Sequence, residues 1–383
     1  MRFFHGLLAA RFLISPKRMS SLKRTPLYEF HAKHGARFVP FAGWEMPIQY
    51  TSILEEHRAV RLRAGLFDVS HMGEATVTGP GARPFLNYVM TNDFSKIKPG
   101  RAKYTLMCNP SGGALEDLII YCMDDEEFFL CLNASNIETD ISWLQEQAQG
   151  FDCKVTNVSD NYVQLALQGP RAMTVLGCLT SADLSSLKRF AFEKAQVAGV
   201  PAMICRTGYT GEDGVEIFCS PNKAAFLAES LVEAGQPLGL HLVGLGARDS
   251  LRLEAGYPLY GHEITDKITP LEAGLEWTVK FDKDDFVGKA ALMAQKEQGI
   301  KQKVIHFVLE DRRIAREGVP VWSEEAVVGE VVSGTLSPML QQPIGSALIR
   351  LDYGSTDNLC VKVRKCSIPL ELKSPPLYTS DAD

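Results

Sequence analysis

The sequence predicts an α+β fold that ends in a separate β-barrel or sandwich. Two observations carry this expectation. Strand-like runs alternate with amphipathic helices up to about residue 293, and after a polar break the chain continues as short β-runs between turns. A 383-residue chain with 45 % hydrophobic and 22 % charged residues is long enough for two or three compact units, and its composition is not that of a disordered chain.

Residues 1–24, "MRFFHGLLAARFLISPKRMSSLKR", carry Arg2, Arg11, Lys17, Arg18, Lys23 and Arg24 and no acid. Apolar residues between the charges give the stretch the character of an amphipathic organelle-targeting leader. Met19 offers a second start that would leave the leader as an upstream extension. No apolar run reaches the roughly 18 residues of a membrane span, so a soluble chain is expected.

In "NPSGGALEDLIIYC", Asn109 to Cys122, glycines lead into a buried strand with Glu116 and Asp117 at its edge. Carboxylates avoid such places unless they are paired or hydrogen-bonded, because desolvation is costly. After the strand "FFLCLN", Ser135-Asn136-Ile137-Glu138 has the capping-box pattern, and Ile137, Ile141, Leu144 and Ala148 recur at helical spacing. "YVQLAL" and "VEIFC" read as strands. "NKAAFLAESLVEAG" reads as a helix with Leu227, Leu231 and Ala234 on one face and Gly235 as its stop. Polarity rises in "AQKEQGIKQK", Ala294 to Lys303. The runs "KVIHFVL", "AVVGEVVSGT", "IGSALIRL" and "LCVKVRK" then assign residues 304–383 to the β-barrel unit, leaving 25–293 as the α+β region.

The net charge of −6 and the pI near 5.8 argue against a general nucleic-acid or anionic-membrane binder, which needs a basic surface. Nine cysteines without a CxxC pair read as reduced core thiols, and eight histidines show no HxxxH or HExxH spacing. Neither a phosphate-binding glycine loop nor a metal cluster is legible.

Two stretches hold chemistry. In "RTGYTGEDGVEIF", Arg206 to Phe218, a hairpin with solvated acids is one reading. The other concerns Glu216, which alternation sends to the face opposite Val215 and Ile217; if that face lines a cavity, its carboxylate can accept paired N–H donors from a planar heterocycle. In "GLGARDSLRLEAGYPLYG", Gly244 to Gly261, Arg248, Asp249, Arg252 and Glu254 read either as ion pairs on an exposed helix face or, given Leu251, Leu253 and Tyr257, as a buried arginine fork suited to a heteroatom-rich or carboxylated ligand.

Nine stretches in order, "RTPLYEFH", "FAGWEMPIQY", "LFDVSHMGE", "TNDF", "ALQGP", "RTGYTGEDGVEI", "GLGARDSLRLEAG", "PLYG" and "SGTLSP", make the chain resemble the aminomethyltransferases, the T-proteins of the glycine cleavage system, from Arg24 to about Tyr378. The resemblance implies a three-domain cloverleaf around a central folate channel, with a C-terminal β-barrel domain. It implies that Glu216 holds the pterin ring, that Arg248, Tyr104, Asn133 and Tyr209 line the folate site, and that Met72 packs on the ligand. It also makes Asp117, the second acid after the glycine pair, the catalytic carboxylate. Glu116 departs from the family pattern, which has aspartate there; strand alternation sends it to the opposite face, so Glu116→Gln is expected to matter far less than Asp117→Asn.

The implied reaction takes the aminomethyl group on the lipoyl arm of a carrier, the H-protein. Tetrahydrofolate attacks that carbon and ammonia leaves, giving 5,10-methylenetetrahydrofolate and dihydrolipoyl H-protein, with no metal. A carboxylate suits this transfer because it orients the attacking nitrogen and stabilises developing positive charge. The tail "KSPPLYTSDAD" is acidic after Lys373 where relatives finish with basic residues behind an aromatic, a position that Tyr378 fills. Two alternatives share the fold: a folate-dependent demethylase of a small methyl donor, and a folate-binding accessory protein for iron–sulfur assembly. The second group carries KGCYxGQE, where this chain has "RTGYTGEDG". The compartment follows the leader: mitochondrial matrix if it is a transit peptide, cytoplasm if the protein is bacterial.

Overall fold

The apolar alternation after the glycine pair produces the strand Ala114–Cys122, with Leu118 and Ile120 buried on one face and Asp117 and Ile119 on the other. It was traced in a computed structural model that describes residues 22–353, 358–364 and 366–379. The expected leader, apart from its last three residues, lies outside the described residues, as does the end of the acidic tail.

Ala114–Cys122 pairs antiparallel with Arg101–Cys108 and with Glu127–Leu132. The five-stranded sheet continues through Gly73–Thr78 to Lys154–Asn157. Helices Ala82–Val89 and Ile137–Gln147 bury Phe85, Leu86, Ile141 and Leu144 against Ala75, Val77, Leu118 and Ile120. The capping box does not form: Asn136 occupies the cap without a side-chain bond to the helix, and its amide is turned toward Glu116, 3.4 Å from Oε2.

The second sheet has six strands in the order Phe192–Val197, Val200–Cys205, Gly214–Cys219, Val163–Gln168, Ala64–Asp68 and Leu240–Leu242, the last pair parallel. Its neighbours Ala64–Asp68 and Val163–Gln168 flank the whole five-stranded sheet in sequence, so that sheet is an excursion from the second one. Helix Ala224–Gly235 buries Leu227 and Leu231 against Val215 and Ile217. The α-helix ends at Gly235. The residues Gln236–Leu238 add a tight 3₁₀ turn, and the chain leaves at Gly239, whose φ of 76° is left-handed and favours glycine.

The two sheets meet along Tyr121, Phe129 and Cys131 from one and Met203, Cys205 and Phe218 from the other. The terminal unit is a seven-stranded antiparallel sheet around Phe307, Val321, Val331, Ala347, Ile349 and Val361. Much of its attachment is polar and buried. Arg252 Nη2 donates to Ser333 Oγ at 2.8 Å, Ser346 Oγ donates to Glu263 at 2.5 Å, and Ser337 Oγ donates to Glu254.

That attachment overturns the exposed-face reading of helix Leu245–Ala255. Arg252 and Glu254 are fully buried because the terminal sheet packs on that side; Arg252 Nη1 donates to both Glu263 oxygens at 3.0 Å, and Nη2 pairs with Asp249 at 2.8 Å. All nine cysteines are unpaired thiols, but Cys178 and Cys366 are exposed, so not all belong to the core. Among the described residues no helix is long and apolar enough to cross a membrane.

Candidate active site

Two groups of side chains gather where the five- and six-stranded sheets meet. The first is built on Asp117. Its strand begins pressed against the segment after residue 263, and only glycine fits there: a Cβ on Gly113 would lie 1.9 Å from the carbonyl oxygen of Asp266. In the pairing with Arg101–Cys108, Leu106 is opposite Asp117 and Tyr104 opposite Ile119, which puts Tyr104 and Asp117 diagonally on one face. Tyr104 donates its hydroxyl to Asp117 Oδ2 at 2.9 Å, and Asn133, just beyond Glu127–Leu132, donates Nδ2 to Oδ1 at 2.9 Å.

Burial, reinforced by the charge of Glu116, pushes the Asp117 carboxyl up to about 7. Burial and the neighbouring Asp117 push the Tyr104 phenol well up, so it remains a donor at neutral pH. Trp277, 58 % exposed, stacks on Tyr104 with centroids 5.8 Å apart and completes an aromatic wall. Sequence reasoning missed Trp277, because nothing in "LEWTV" separates it from an ordinary core tryptophan.

The separation expected between Glu116 and Asp117 is only half realised. Glu116 lies on the core face of the pleat, fully buried, yet its carboxylate turns back to the strand edge. Oε1 accepts the Asp117 N–H at 2.8 Å and a short bond from Asn133 Nδ2, and Oε2 accepts the Asn133 N–H at 3.1 Å. Asn133 is therefore shared by the two acids, and Glu116 is no inert control for Asp117.

The second group surrounds Glu216 on Gly214–Cys219. Val215 and Ile217 enter the core under the helices, and Glu216 takes the other face beside Phe218. Its Oε1 accepts Gln164 Nε2 at 3.0 Å and its Oε2 accepts Thr207 Oγ1 at 2.5 Å. Burial raises this carboxyl, opposed by Thr207, by the Arg248 guanidinium and by Gln164. Arg248 lies over the Tyr209 ring, 4.6 Å from its centroid, and Tyr209 stacks on Tyr257 while donating its hydroxyl to the Pro258 carbonyl.

Gln164 and Thr207 were not singled out from sequence, although a lone glutamine inside "YVQLAL" is the kind of polar interruption that marks a lined face. His71 is buried with Nδ1 unpartnered, and burial together with Arg248 pulls it down to about 4, so it is neutral at physiological pH. Met72, partly buried, packs against both the inter-sheet cluster and the cluster of Phe67, Val69 and Ala247. Asp117 in turn helps burial to raise the Tyr209 phenol, so the two groups are within electrostatic reach of each other. Among the described residues no group of three or more His, Cys, Asp or Glu is placed to hold a metal ion.

Two domain families match this architecture: the GCVT N-terminal domain over residues 27–283 and the glycine cleavage T-protein C-terminal barrel domain over 302–379. Together they define a transferase of the GCVT class. The aminomethyltransferase of Thermoanaerobacter sp. strain X514 is 48 % identical over 341 residues, 89 % of this chain and 93 % of that one. The aminomethyltransferase of Bacillus velezensis is 48 % identical over 360 residues, 93 % of this chain and 98 % of that one. The crystal structure of the glycine cleavage system aminomethyltransferase T from Bartonella henselae superposes with a TM-score of 0.87 at 36 % identity, covering 94 % of this chain and 98 % of that one. The chain belongs to the aminomethyltransferase family, the T-proteins of glycine cleavage, and neither the demethylase nor the iron–sulfur accessory reading is favoured.

Proposed function

We propose that Asp117 is the carboxylate at which the aminomethyl carbon on the lipoyl arm of H-protein passes to tetrahydrofolate, releasing ammonia and leaving 5,10-methylenetetrahydrofolate and the dihydrolipoyl carrier. The observation that carries this reading is the fixed plane of the Asp117 carboxylate, with one donor on each oxygen, in a place where burial keeps its titration near neutrality. A carboxylate so held presents its remaining lone pairs in a set direction, toward a nitrogen it can orient or a carbon that gains positive charge.

Tetrahydrofolate as co-substrate fits the second group. Glu216 receives two donors in the protein, while an ionised carboxylate accepts about four, so it retains capacity for the paired N–H groups of a pterin. Tetrahydrofolate supplies the nitrogen that accepts the carbon. Gln164 and Thr207 orient Glu216, Tyr209 and Arg248 form a flat cationic wall, and Met72 offers an apolar floor. The same reading treats residues 25–293 as the folate-binding region and 304–383 as the barrel domain, needs no metal, and takes lipoylated H-protein as the carrier. The bacterial relatives favour a cytoplasmic setting; the mitochondrial matrix follows if the basic leader is a transit peptide.

The test is ammonia release from aminomethyl-loaded, lipoylated H-protein with tetrahydrofolate. Wild-type protein should release it and Asp117→Asn should lose about 10² to 10³ in turnover. Normal turnover by the folded Asp117→Asn variant would end this assignment.

A further inference from the structure

Beneath Asp117 lies a third acid that the transfer itself does not use. Asp140, on the first turn of helix Ile137–Gln147, is 3 % exposed, and its carboxyl is in hydrogen-bond contact with that of Glu116. Asp140 Oδ2 has no N–H or O–H partner from any other group. Two carboxylates cannot hydrogen-bond to each other while both are ionised, since each then only accepts. Both carboxyls are buried and, among the described residues, no cation is paired with either, so leaving both charged would combine desolvation with like-charge repulsion.

Having both neutral is equally poor, because Glu116 faces the Asp117 N–H, the Asn133 N–H and Asn133 Nδ2, donors that favour a charged acceptor. We propose that Glu116 and Asp140 share one proton and act as positioning residues for Asp117, aiming its carboxylate through Asn133 and keeping one negative charge beside it. The proposal rests on the reading of Asp117 as the reacting carboxylate. It accounts for the departure at position 116, where the longer glutamate side chain lets a core-facing residue reach back to the strand edge.

The charge matters because a carboxyl exchanges protons best when it titrates close to the working pH. The titratable groups that face Asp117 are Tyr104 from Arg101–Cys108, Tyr209 and Tyr260 from the loops opposite, Glu116 from its own strand and Asp140 from the helix. The three phenols are held in the neutral form by burial, and Asp266 further raises Tyr260. That leaves the Glu116–Asp140 pair as the source of charge at this point.

The test reads the Asp117 carboxyl directly by ¹³C NMR titration, its resonance assigned by its loss in Asp117→Asn, alongside the pH profile of transfer. If one proton is shared, Asp140→Asn leaves an ionised Glu116 with an amide donor in place of the acid, so the charge persists and the Asp117 midpoint moves by no more than a few tenths of a pH unit. Glu116→Gln combined with Asp140→Asn removes the charge, and the midpoint drops by about one unit or more, with the acid limb of the profile following it.

An equal drop from Asp140→Asn alone would mean that both acids were ionised, and no drop in the double variant would mean that the pair was neutral; either result overturns the proposal. Should the double variant fail to fold, Asp140→Asn still refutes the shared proton if its midpoint drops, and Glu116→Gln alone separates the remaining cases, because the midpoint falls if the pair carried a charge beside Asp117 and stays if the pair was neutral. The outcome is independent of the role of Asp117. Full transfer by Asp117→Asn would refute that role while the titration still judged the pair.

Discussion

Tyr104 holds Asp117 by the oxygen that Asn133 leaves free, its hydroxyl 2.9 Å from Oδ2. Tyr104→Phe removes this donor and keeps the ring that stacks on Trp277. A hydrogen bond to a charged acceptor is worth about 1.5 to 3 kcal/mol, so turnover in ammonia release should fall roughly ten- to hundredfold. Tyr104 is also one of the groups holding Asp117 down, so the acid limb of the pH profile should move to higher pH, above its starting point near 7. A variant with wild-type rate and profile would detach the phenol from the chemistry.

Asp117 should also be visible in stability. Its folded carboxyl titrates at about 7, well above the unfolded value of about 3.9. An acid shifted in this direction binds more protons folded than unfolded, so its contribution becomes a cost as pH rises through that window. Asp117→Asn removes the cost. Its melting temperature should equal the wild-type value near pH 4 and exceed it at pH 8, and a variant that melts lower at pH 8 would contradict the raised carboxyl.

Glu216→Gln puts an amide where Gln164 and Thr207 both donate. Donor then faces donor, and the charge-assisted bond proposed between Glu216 and the folate would be lost as well. Tetrahydrofolate affinity by calorimetry should weaken by about 1.5 to 3 kcal/mol. Unchanged affinity would place the pterin elsewhere.

The Arg252–Glu263 pair predicts how the terminal sheet responds to acid. Burial alone would raise Glu263, but the facing Arg252 fork holds it down at about 2. Its stabilisation is therefore complete above the ordinary carboxylate range near 4.3 and is lost as pH falls toward 2. Glu263→Gln should cost about 3 to 5 kcal/mol at pH 7, because it leaves a buried arginine poorly compensated. Denaturant melts should show that gap narrowing only below about pH 4.5; a gap already closed at pH 6 would mean the pair carries no net charge interaction.

What was legible in the sequence was local. Alternation placed Glu216 opposite Val215 and Ile217, and helical spacing found Ile141 and Leu144, because each of those patterns is set within a few residues. Reading failed where the answer depended on a distant segment. Arg252 and Glu254 carry the pattern of a solvated helix face, and only the terminal sheet, with Ser333 and Ser337 far along the chain, buries them. Asn136 follows the rule for a cap, but Glu116 competes for its amide. Trp277, Gln164 and Thr207 reach the site from three separate parts of the chain, and no local spacing records that convergence.

The nesting of the two α+β sheets sets an order of assembly. All five strands from Gly73–Thr78 to Lys154–Asn157 are contiguous in sequence, so the sheet bearing Asp117 is complete once that stretch has left a ribosome. The sheet bearing Glu216 needs Ala64–Asp68 to wait for Val163–Gln168 and then for Leu240–Leu242, a loop closure of high contact order. The nascent chain thus completes the sheet bearing Asp117 before the sheet bearing Glu216, and during that interval Ala64–Asp68 is an unpaired apolar edge. Pulse-labelled hydrogen exchange should protect the amides of Ala114–Cys122 ahead of those of Val163–Gln168, and a chaperone that shields a nascent strand would find Ala64–Asp68 the natural one to hold.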